Sequence, residues 1–367
     1  MKIVIIISNI DRWMTFEWIA ERLSRDFDLH FVLLNSGSSY FEQYLKETQM
    51  SYDLIHYSGK HSIPTCILNV RKIVRAHKPD VVHTHFLDAN LVGLTAAWLA
   101  GVPKRIHTRH HSVFHHKYSK KGVFYDRICN NFSTHIIAIS QSVYELLITK
   151  EKVPQRKISL VHHGFDFATF NRPDPVYVQQ FLSKNRLSSD NKIIGVISRY
   201  IDWKGVDYIV KAFGDFQKKH PEAVLLLLNA RGPAKHRIQE LLAQLPEDSY
   251  REVVFERNIL DIYPLFSVFV HTPIDRQVEA FGQVYVEALA SKVPSIFTLS
   301  GVANEFVSHK ENALIVNHQD ADSIHEALEM VWSDTNLKNH LIENGLRSVE
   351  SFGISYFCKK LKDVYEA

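Results

Sequence analysis

The chain has 367 residues, of which 46% are hydrophobic and 23% charged, a length and composition typical of a globular protein with two domains. Its formal net charge is +3 at pH 7, from 43 Lys and Arg against 40 Asp and Glu. The absence of a recognisable nucleic-acid-binding module and an acidic second half argue against a nucleic-acid partner.

The cysteines and the apolar segments predict a cytoplasmic protein. Cys66, Cys129 and Cys358 are scattered and odd in number, which is typical of a reducing compartment and not of a disulfide framework or a metal site. The N-terminal apolar run ends at Ile7 and lacks the longer apolar core of a signal peptide. The longest nearly apolar run, residues 91–102, is too short to span a bilayer.

Apolar runs alternate with helical patterns along the whole chain, as expected for parallel strands that helices cover on both faces. The fold class is therefore α/β, with two Rossmann-like doubly wound domains. We predict strands near residues 2–8, 28–34, 52–57, 80–84, 104–108, 134–140 and 158–162, and then near residues 192–198, 223–229, 252–256, 267–271, 294–298 and 313–316.

The same patterns predict the domain boundaries. Residues 1–165 form the N-terminal domain and residues 191–350 the C-terminal domain. Residues 166–190, with prolines at positions 173 and 175 and polar ends, are interpreted as the linker between them. Residues 351–367 have apolar positions near helical spacing and predict a terminal helix.

A basic segment, residues 104–127, lies within the N-terminal domain. Residues 1–165 carry 21 Lys and Arg against 13 Asp and Glu, a net charge of +8, and the remaining 22 and 27 give −5 for residues 166–367. The segment interleaves its cations and histidines with aromatic residues, a composition that binds anionic lipid headgroups or a lipid-diphosphate acceptor. A solvated face, or a loop that orders on substrate binding, is the alternative.

Two cations follow the predicted strand at residues 192–198. Arg199 and Lys204 lie in the loop before a helix that begins near Gly205, at the carboxyl end of the strand, where ligands bind in open α/β sheets. An arginine fork and a lysine point charge can together hold a diphosphate. Alternatively, the two residues are solvated loop cations.

Two carboxylates flank a helix start after the predicted strand at residues 267–271. Glu279 precedes the helix and Glu287 lies within it, beside the apolar face. The backbone amides of Phe281, Gly282 and Gln283 lie at the helix N-terminus, which favours an anion. This predicts a phosphate site with a carboxylate on each side, although amphipathic helices with two glutamates are also common.

Taken together, these motifs resemble the retaining glycosyltransferases of the GT-B group known as GT4, or glycosyltransferase group 1. The resemblance covers nearly the whole chain and also includes Asp80-Val-Val-His-Thr-His85, Ile106-His-Thr-Arg-His110-His, and segments at residues 138–142, 161–166, 230–233 and 298–305. It implies a GT-B architecture, two domains facing across a cleft, with the terminal helix crossing back to the N-terminal domain.

The resemblance also implies a role for each motif residue. Arg199 and Lys204 would bind the diphosphate of a nucleotide-sugar, and Glu287 would accept hydrogen bonds from the ribose hydroxyls. Glu279 would face the donor sugar, helped by the amides of Phe281 and Gly282. His110 would reach the sugar or the β-phosphate from the other domain. His111 is the alternative to His110, and a plain surface histidine is the third interpretation.

No metal or other cofactor is expected. Members of the family commonly work without a divalent ion, because fixed cations and helix dipoles stabilise the departing diphosphate. The one Asp-x-Asp pair, Asp320 and Asp322, precedes a helical pattern and is interpreted as an N-cap followed by a negative first turn.

The chain departs from the family pattern at several positions. The loop after the first strand, residues 8–14, has no glycine and contains Trp13. His163 stands where an asparagine is usual, Ala230 where a glycine is usual, and Arg257 lies where a glycine is expected. The departures put the acceptor environment and the recognition of the base in question.

The resulting functional hypothesis is transfer of a sugar from a nucleotide-diphosphate sugar to an acceptor hydroxyl with retention of configuration. Family frequency favours a UDP-sugar, with GDP-mannose next, and a glycan or lipid-linked acceptor in glycolipid or surface-polysaccharide synthesis. The enzyme would be cytoplasmic, with peripheral contact to the inner face of the membrane as an extension. The alternatives are a nucleotide-sugar epimerase or phosphorylase of the same fold, and a non-catalytic nucleotide- or carbohydrate-binding scaffold.

Overall fold

A computed structural model describes residues 1–367 and divides the chain into two compact units. The first unit contains Met1–Phe165 together with Ile354–Ala367, and the second contains Asp166–Gly353. Each unit has its own sheet, and every strand pair in both sheets is parallel.

The first unit contains a seven-stranded sheet in the order β3-β2-β1-β4-β5-β6-β7. Its strands are β1 (Lys2–Ser8), β2 (Asp28–Asn35), β3 (Ser51–His56), β4 (Val81–His85), β5 (Lys104–Arg109), β6 (His135–Ala138) and β7 (Ile158–Leu160). Its helices within Met1–Phe165 are α1 (Met14–Leu23), α2 (Tyr40–Glu47), α3 (Ile63–His77), α4 (Leu87–Leu99), α5 (Phe114–Tyr118), α6 (Lys120–Phe132) and α7 (Gln141–Thr149).

The second unit contains a six-stranded sheet in the order β10-β9-β8-β11-β12-β13. Its strands are β8 (Lys192–Ile197), β9 (Ala223–Leu228), β10 (Tyr250–Val253), β11 (Phe266–His271), β12 (Ser295–Phe297) and β13 (Leu314–Ile315). Its helices are α8 (Pro175–Lys184), α9 (Val206–Lys219), α10 (Lys235–Leu242), α11 (Ile259–Ile262), α12 (Gln283–Ala290), α13 (Ala303–Phe306), α14 (Ala321–Ser333) and α15 (Thr335–Ser348).

Both sheets have the Rossmann strand order, so each contains one point where the order reverses. In the first unit the reversal lies between β1 and β4, and in the second it lies between β8 and β11. The connections that leave the two strands at such a point turn to opposite faces of the sheet and leave a crevice outside the strand ends, where ligands bind in folds of this kind. The strand order therefore marks the ends of β8 and β11 as the place to look for a site.

The apolar runs explain why these segments form covered strands. All six residues of β9 are buried, as are the last six of β1. Continuous burial is expected where helices cover both faces of a parallel sheet. All thirteen predicted strands are present, and the largest boundary difference is at β10, which begins two residues and ends three residues before the predicted bounds.

The segment interpreted as a linker is structured. Residues 166–190 belong to the second unit and contain α8. The carboxylate of Asp174 caps this helix by accepting from the amide of Val176 at 2.9 Å, and Phe181 and Leu182 are buried. Proline at the first helical position starts the helix instead of breaking the chain, so the prolines mark a helix start within the domain.

The chain ends in helix α16 (Ile354–Glu366), which belongs to the first unit. The amide of Ile354 donates to the carbonyl of Phe165 at 2.8 Å. Near the other end of α16, the buried hydroxyl of Tyr365 lies 2.7 Å from Nδ1 of His83 on β4. These hydrogen bonds join both ends of the helix to the first unit.

The interpretation of Asp320 as a helix cap is confirmed. Its carboxylate accepts from the backbone amide of Ser323 at 3.0 Å, at the start of α14.

No helix is both long enough and apolar enough to cross a bilayer.

Candidate active site

In the second unit, the loops after β8 and β11 lie against each other at the switch point. Gly205 has φ = 67°, and a Cβ atom at this position would lie 2.1 Å from the carbonyl oxygen of Thr272. The amide of Ile274 donates to the carbonyl of Trp203 at 3.1 Å. Only glycine permits so close a backbone approach at that φ, and the approach brings Lys204 to the loop that follows β11.

Lys204 and Glu279 form an ion pair at this point. The ammonium group donates to Oε1 of Glu279, and Nε2 of His271, the last residue of β11, lies 3.3 Å from the same oxygen. The side chains of Lys204 and Glu279 are 18% and 11% exposed. A pair so largely removed from water needs good geometry to be stable, and here the two loops supply it.

The protonation states follow from burial and charge. Burial alone would raise the pKa of Glu279, but the charge of Lys204 and the hydrogen bond from His271 hold that pKa well below its usual range. Burial lowers the pKa of His271, and the nearby Lys204 charge adds to this. At neutral pH the site therefore contains a carboxylate, an ammonium group and a neutral imidazole.

The backbone around Glu279 is also fixed. Its amide donates to Oγ of Ser300 at 3.2 Å, and the Ser300 hydroxyl donates to the carbonyl of Asp275 at 2.7 Å. Gly301 has φ = 57°, and a Cβ atom there would lie 2.6 Å from the carbonyl oxygen of Phe281 and 2.9 Å from Cβ of Glu279. The segment after β12 therefore packs directly against Glu279.

Helix α12 begins four residues after Glu279, at Gln283. Gly282 has φ = 84° and is the N-cap residue, and Gln283 is the first helical residue. Phe281 is buried and packs edge-on against Phe352 with ring centroids 5.9 Å apart. The left-handed conformation of Gly282 redirects the chain from the buried Phe281 into the helix.

Glu287 is buried in the second turn of α12. Its Oε2 accepts from the hydroxyl of Tyr263 at 2.9 Å, and its side chain has no cation among its ion-pair or hydrogen-bond partners. Burial raises the pKa of Glu287 to about 7. The two glutamates of the predicted pair thus differ in charge near neutral pH, because only Glu279 has a lysine partner.

Arg199 lies two residues beyond β8, with its side chain exposed and in no salt bridge. Its guanidinium group can therefore bind an anion without breaking an existing ion pair. Lys204, in contrast, is already paired, although an ammonium group has three hydrogens and can serve two acceptors.

In the first unit, His110 follows β5 and joins a group of histidines. Its Nε2 lies 3.0 Å from Nδ1 of His85, the last residue of β4. The ring of His85 lies 4.2 Å, centroid to centroid, from that of His83, whose Nε2 lies 2.8 Å from Oγ1 of Thr108. Burial is the largest cause of lowered pKa values in His83, His85 and His110, so these rings are neutral.

Aromatic rings enclose His110 on the other sides. The indole of Trp13 lies 5.2 Å from the ring of His110 and 5.5 Å from that of His163. The rings of His110 and His163 are nearly parallel at 5.5 Å, and Phe86 stacks on His110 at 4.7 Å. Two departures from the family pattern, Trp13 and His163, are therefore neighbours in space and surround the same histidine.

These rings line a cavity within the first unit. Trp13, His85, His110 and His163 form its polar wall, and residues of α16, including Phe357, form part of its apolar wall. Three buried nitrogens in this wall have no hydrogen-bond partner: Nε1 of Trp13, Nε2 of His85 and Nδ1 of His110. Buried polar atoms without partners destabilise a fold by about 1–3 kcal/mol each, so these three nitrogens call for a role such as catalysis or the binding of a water molecule.

His111, the alternative to His110, lies in a different environment. Its Nε2 is 3.1 Å from Oδ2 of Asp126, outside the residues that line this cavity.

The basic segment, residues 104–127, contains both buried and exposed cations. Arg109 is 1% exposed and pairs with Asp126 and Glu151, which corrects its interpretation as part of a basic surface. Lys117, Lys120, Lys121 and Arg127 remain on the surface.

Two family models match the chain, and they match its two halves separately. The model described as Glycosyltransferase Family 4 matches residues 17–169, and that described as Glycosyl transferases group 1 matches residues 178–348. The chain belongs to the group 1 glycosyltransferases.

Individual proteins agree with this assignment. This glycosyltransferase is 28% identical over 361 residues to the capsular polysaccharide biosynthesis glycosyltransferase CapM of Staphylococcus aureus, with 93% of this chain and 90% of CapM covered. It is 23% identical over 320 residues to an Escherichia coli UDP-Gal:alpha-D-GlcNAc-diphosphoundecaprenol alpha-1,3-galactosyltransferase, with 82% of this chain and 78% of that protein covered. The Anabaena protein Alr3699/HepE, crystallised with UDP and glucose, superimposes with a TM-score of 0.84 at 18% identity, covering 100% and 99% of the two chains. The two parallel sheets are thus those of the GT-B fold.

Several residues that contact the predicted site residues were not themselves predicted to belong to the candidate site. His271 could have been found, because it ends β11 and precedes Glu279 in the same loop. His85 is the corresponding strand-end residue of β4. No local pattern identifies Tyr263 as the partner of Glu287, since the contact depends on the packing of α12 against a 3-10 turn before β11.

Proposed function

We propose that this protein is a retaining glycosyltransferase that takes its sugar from a nucleotide-diphosphate donor. The observation that carries the proposal is the Lys204–Glu279 ion pair at the switch point of the second sheet, with the unpaired guanidinium of Arg199 in the same loop as Lys204. Cations at the carboxyl ends of strands are suited to a diphosphate. The carboxylate beside them is suited to a sugar hydroxyl.

The proposed step uses charges that are already in place. Cleavage of the sugar–phosphate bond places positive charge on the sugar and negative charge on the departing diphosphate. Arg199 and Lys204 would stabilise the diphosphate, assisted by the amides of Phe281 and Gly282, and Glu279 would accept a hydrogen bond from the donor sugar. Preorganised charges of this kind stabilise a transition state without reorganising during the reaction, which is why we propose that no metal ion takes part.

The remaining roles complete the proposal. Glu287 would accept hydrogen bonds from the ribose hydroxyls, and its pKa of about 7 means that nucleotide binding would favour the loss of its proton. His110 would contact the sugar or the β-phosphate. We propose that the unpartnered nitrogens around His110 hydrogen-bond a water molecule or a single hydroxyl group of a ligand.

The donor and acceptor classes rest on relatives. The Anabaena protein was crystallised with UDP, and the E. coli relative uses UDP-galactose and a diphosphoundecaprenol-linked acceptor. We propose a UDP-sugar donor, with GDP-mannose as the next choice. The acceptor would be a glycan or a lipid-linked glycan in the synthesis of a surface polysaccharide or glycolipid.

The test is a panel of nucleotides and nucleotide-sugars in thermal unfolding assays, because a ligand that binds only the folded state raises its stability. We expect one base family to stabilise the wild-type protein and to lose this effect in both Lys204→Ala and Glu287→Ala. Lys211→Ala, an exposed lysine in the same unit, is the control. If no nucleotide stabilises the wild type, the donor assignment is wrong.

Turnover then separates the enzymatic alternatives. With the donor identified, an acceptor extract should be required for release of the nucleoside diphosphate, and NMR of the product should show the anomeric configuration of the donor. Turnover in the presence of a chelator tests the metal independence of the reaction. Donor conversion without any acceptor would indicate an epimerase or phosphorylase, and an inverted product would contradict the retaining mechanism.

We also propose peripheral contact with an anionic membrane through α5 and α6. Phe114, Tyr118 and Phe124 are 40%, 57% and 61% exposed, and Lys120 and Lys121 lie between them on the surface. Exposed aromatic rings beside lysines bind the headgroup region of anionic bilayers.

Sedimentation with phosphatidylglycerol vesicles at low salt tests this contact. Phe124→Ser combined with Lys121→Glu should abolish cosedimentation. Leu68→Ser, which changes a side chain of similar exposure (56%) on α3 of the same unit, should not. Binding that is equal for neutral and anionic vesicles, or unaffected in the double variant, would contradict the proposal.

A further inference from the structure

A second cluster of side chains in the first unit has no part in the proposed transfer. Nε2 of His111, Nδ1 of His115 and Oδ2 of Asp126 lie within 4.8 Å of one another. The two nitrogens are 3.1 Å and 2.7 Å from the same carboxylate oxygen. The three residues come from the loop after β5, from α5 and from α6, so the tertiary structure brings them together.

The charges around this cluster do not balance. The side chains of Arg109, Asp126 and Glu151 are each 1% exposed, so one guanidinium group is buried with two carboxylates. Lys157 approaches the same network through the carbonyl of Asn130 and not through a carboxylate. A buried excess negative charge strongly favours a bound cation or an added proton.

The geometry favours a cation between the three ligands. The rings of His111 and His115 are 4.1 Å apart and inclined at 53°, so the in-plane lone pairs of both can be directed at one point. In the other His-His-Asp cluster, His30, Asp53 and His77, the two rings are stacked at 3.8 Å and 27°. Nearly parallel stacked rings cannot both direct an in-plane lone pair at one ion.

The surroundings resemble the outer shell of a metal site. Nη1 of Arg109 lies 2.7 Å from Oδ1 of Asp126, which leaves Oδ2 for an ion, and carboxylate ligands are commonly oriented by such a partner. A Cβ atom at position 122 would lie 2.5 Å from the ring of His115. Gly122 therefore makes room for the imidazole. The side chain of His111 is 21% exposed and provides the route of entry from solvent.

We propose that His111, His115 and Asp126 bind one divalent transition-metal ion, with zinc the best match. Two imidazoles and one carboxylate, with a fourth position open to water, are a common zinc ligand set. The ion would more than offset the excess negative charge and would join α5 and α6 to the loop that carries His110. The ion would take no part in the proposed transfer, so it is compatible with a reaction that needs no metal.

The experiment is metal analysis of the untagged full-length protein, purified without chelator and then dialysed after incubation with Zn²⁺. We expect about one zinc per chain by mass spectrometry, and with Co²⁺ a visible absorption band of a low-coordinate site. His111→Gln, at a partly exposed position, should lose both the metal and the band. His30→Gln should keep them.

A stability measurement removes the ambiguity of a poorly folded variant. A chelator should lower the unfolding temperature of the wild type and of His30→Gln, but should leave that of His111→Gln unchanged. Less than about a fifth of an equivalent of zinc in the wild type would overturn the proposal and assign the excess charge to a protonated histidine. Metal content in His111→Gln equal to that of the wild type would overturn it as well.

Discussion

The candidate site of the second unit and the histidine cavity of the first unit differ in charge, although both lie at the carboxyl ends of strands in a Rossmann-type sheet. In the second unit, a lysine–glutamate ion pair and an exposed arginine provide full charges. In the first unit, neutral histidines and aromatic rings line a cavity with three unpartnered nitrogens. The same strand order therefore supports an ionic site in one unit and an uncharged hydrogen-bonding site in the other.

Burial explains the difference, because it acts on every group and only a partner can offset it. Glu279 remains ionised since Lys204 is beside it, whereas Glu287, without a cation, has a pKa of about 7. His83, His85 and His110 have no carboxylate partner, and burial keeps them neutral. Under the proposed function, an anionic diphosphate would bind in the first situation and an uncharged hydroxyl group in the second.

The largest expected effect comes from removing the Lys204–Glu279 ion pair of the second unit. Lys204→Met should lower kcat/KM by about 100- to 1,000-fold, since a preorganised cation at the diphosphate is lost. It should also destabilise the protein by about 3–5 kcal/mol, because Glu279 is left as an unpaired buried charge. Steady-state kinetics and chemical denaturation measure the two effects.

The double variant Lys204→Met/Glu279→Gln separates them. It should recover most of the stability and none of the activity, and Lys211→Met should change neither. Recovery of activity in the double variant would show that Lys204 serves only to balance Glu279.

The next effect tests whether the backbone supports the charged site. Gly301→Ala should destabilise the protein by about 3 kcal/mol for two reasons. An alanine is strained at this positive φ, and its Cβ would overlap with the carbonyl oxygen of Phe281. Gly101 in the first unit also has positive φ, 76°, but a Cβ there would have no neighbour within 4 Å. Gly101→Ala should therefore cost only about 1 kcal/mol, and equal losses in the two variants would contradict the packing argument.

The third prediction concerns pH and Glu287. Its folded pKa of about 7 lies above the usual value of 4.5, so the folded state binds more protons than the unfolded state between these values. Stability from this group is present at low pH and is lost as pH rises through 7, by about 2 kcal/mol between pH 5 and 8. Glu287→Gln should show a correspondingly smaller loss over this range. A parallel decline in variant and wild type would show that Glu287 is ionised in the folded protein.

The smallest effect is expected in the histidine cavity of the first unit. His85→Phe should lower kcat by about tenfold, because Nε2 of His110 loses its neutral hydrogen-bond partner. His85→Asn, whose amide group can occupy the position of Nδ1, should stay within about threefold of the wild type. Neither change should shift the pH profile between 5 and 8, since the histidines here do not titrate in that range. A shifted profile would mean that this cavity carries charge after all.

The strands and the charged residues were predictable, because they depend on local patterns. Apolar runs identify covered parallel strands, and Lys204 and Glu279 are placed by following β8 and β11. Their ion pair depends additionally on these strands being neighbours, which the sequence alone does not establish. Given a Rossmann strand order, the fourth strand lies beside the first, and the contact follows.

Other features depend on contacts between distant segments. Trp13 and His163 are 150 positions apart and each departs from the family pattern, so no single motif shows that they surround His110. Arg109 lies in a basic segment and is nevertheless buried, because it pairs with Asp126, near the end of the same segment, and with Glu151, which lies outside it. The misinterpreted segment at residues 166–190 has polar ends and two prolines, while its buried residues, Phe181 and Leu182, occupy only one side of a short helix.

The placement of α16 in the first unit sets an order of events during synthesis. The second unit is one continuous stretch, Asp166–Gly353, whereas the first needs Ile354–Ala367 to be complete. All of the second unit is translated before the ribosome adds the residue, Tyr365, that bonds to His83. Domains commonly begin to fold as they emerge. The first unit is therefore the first to be translated but is completed after the second. Its cavity gains part of its apolar wall only when α16 has been added.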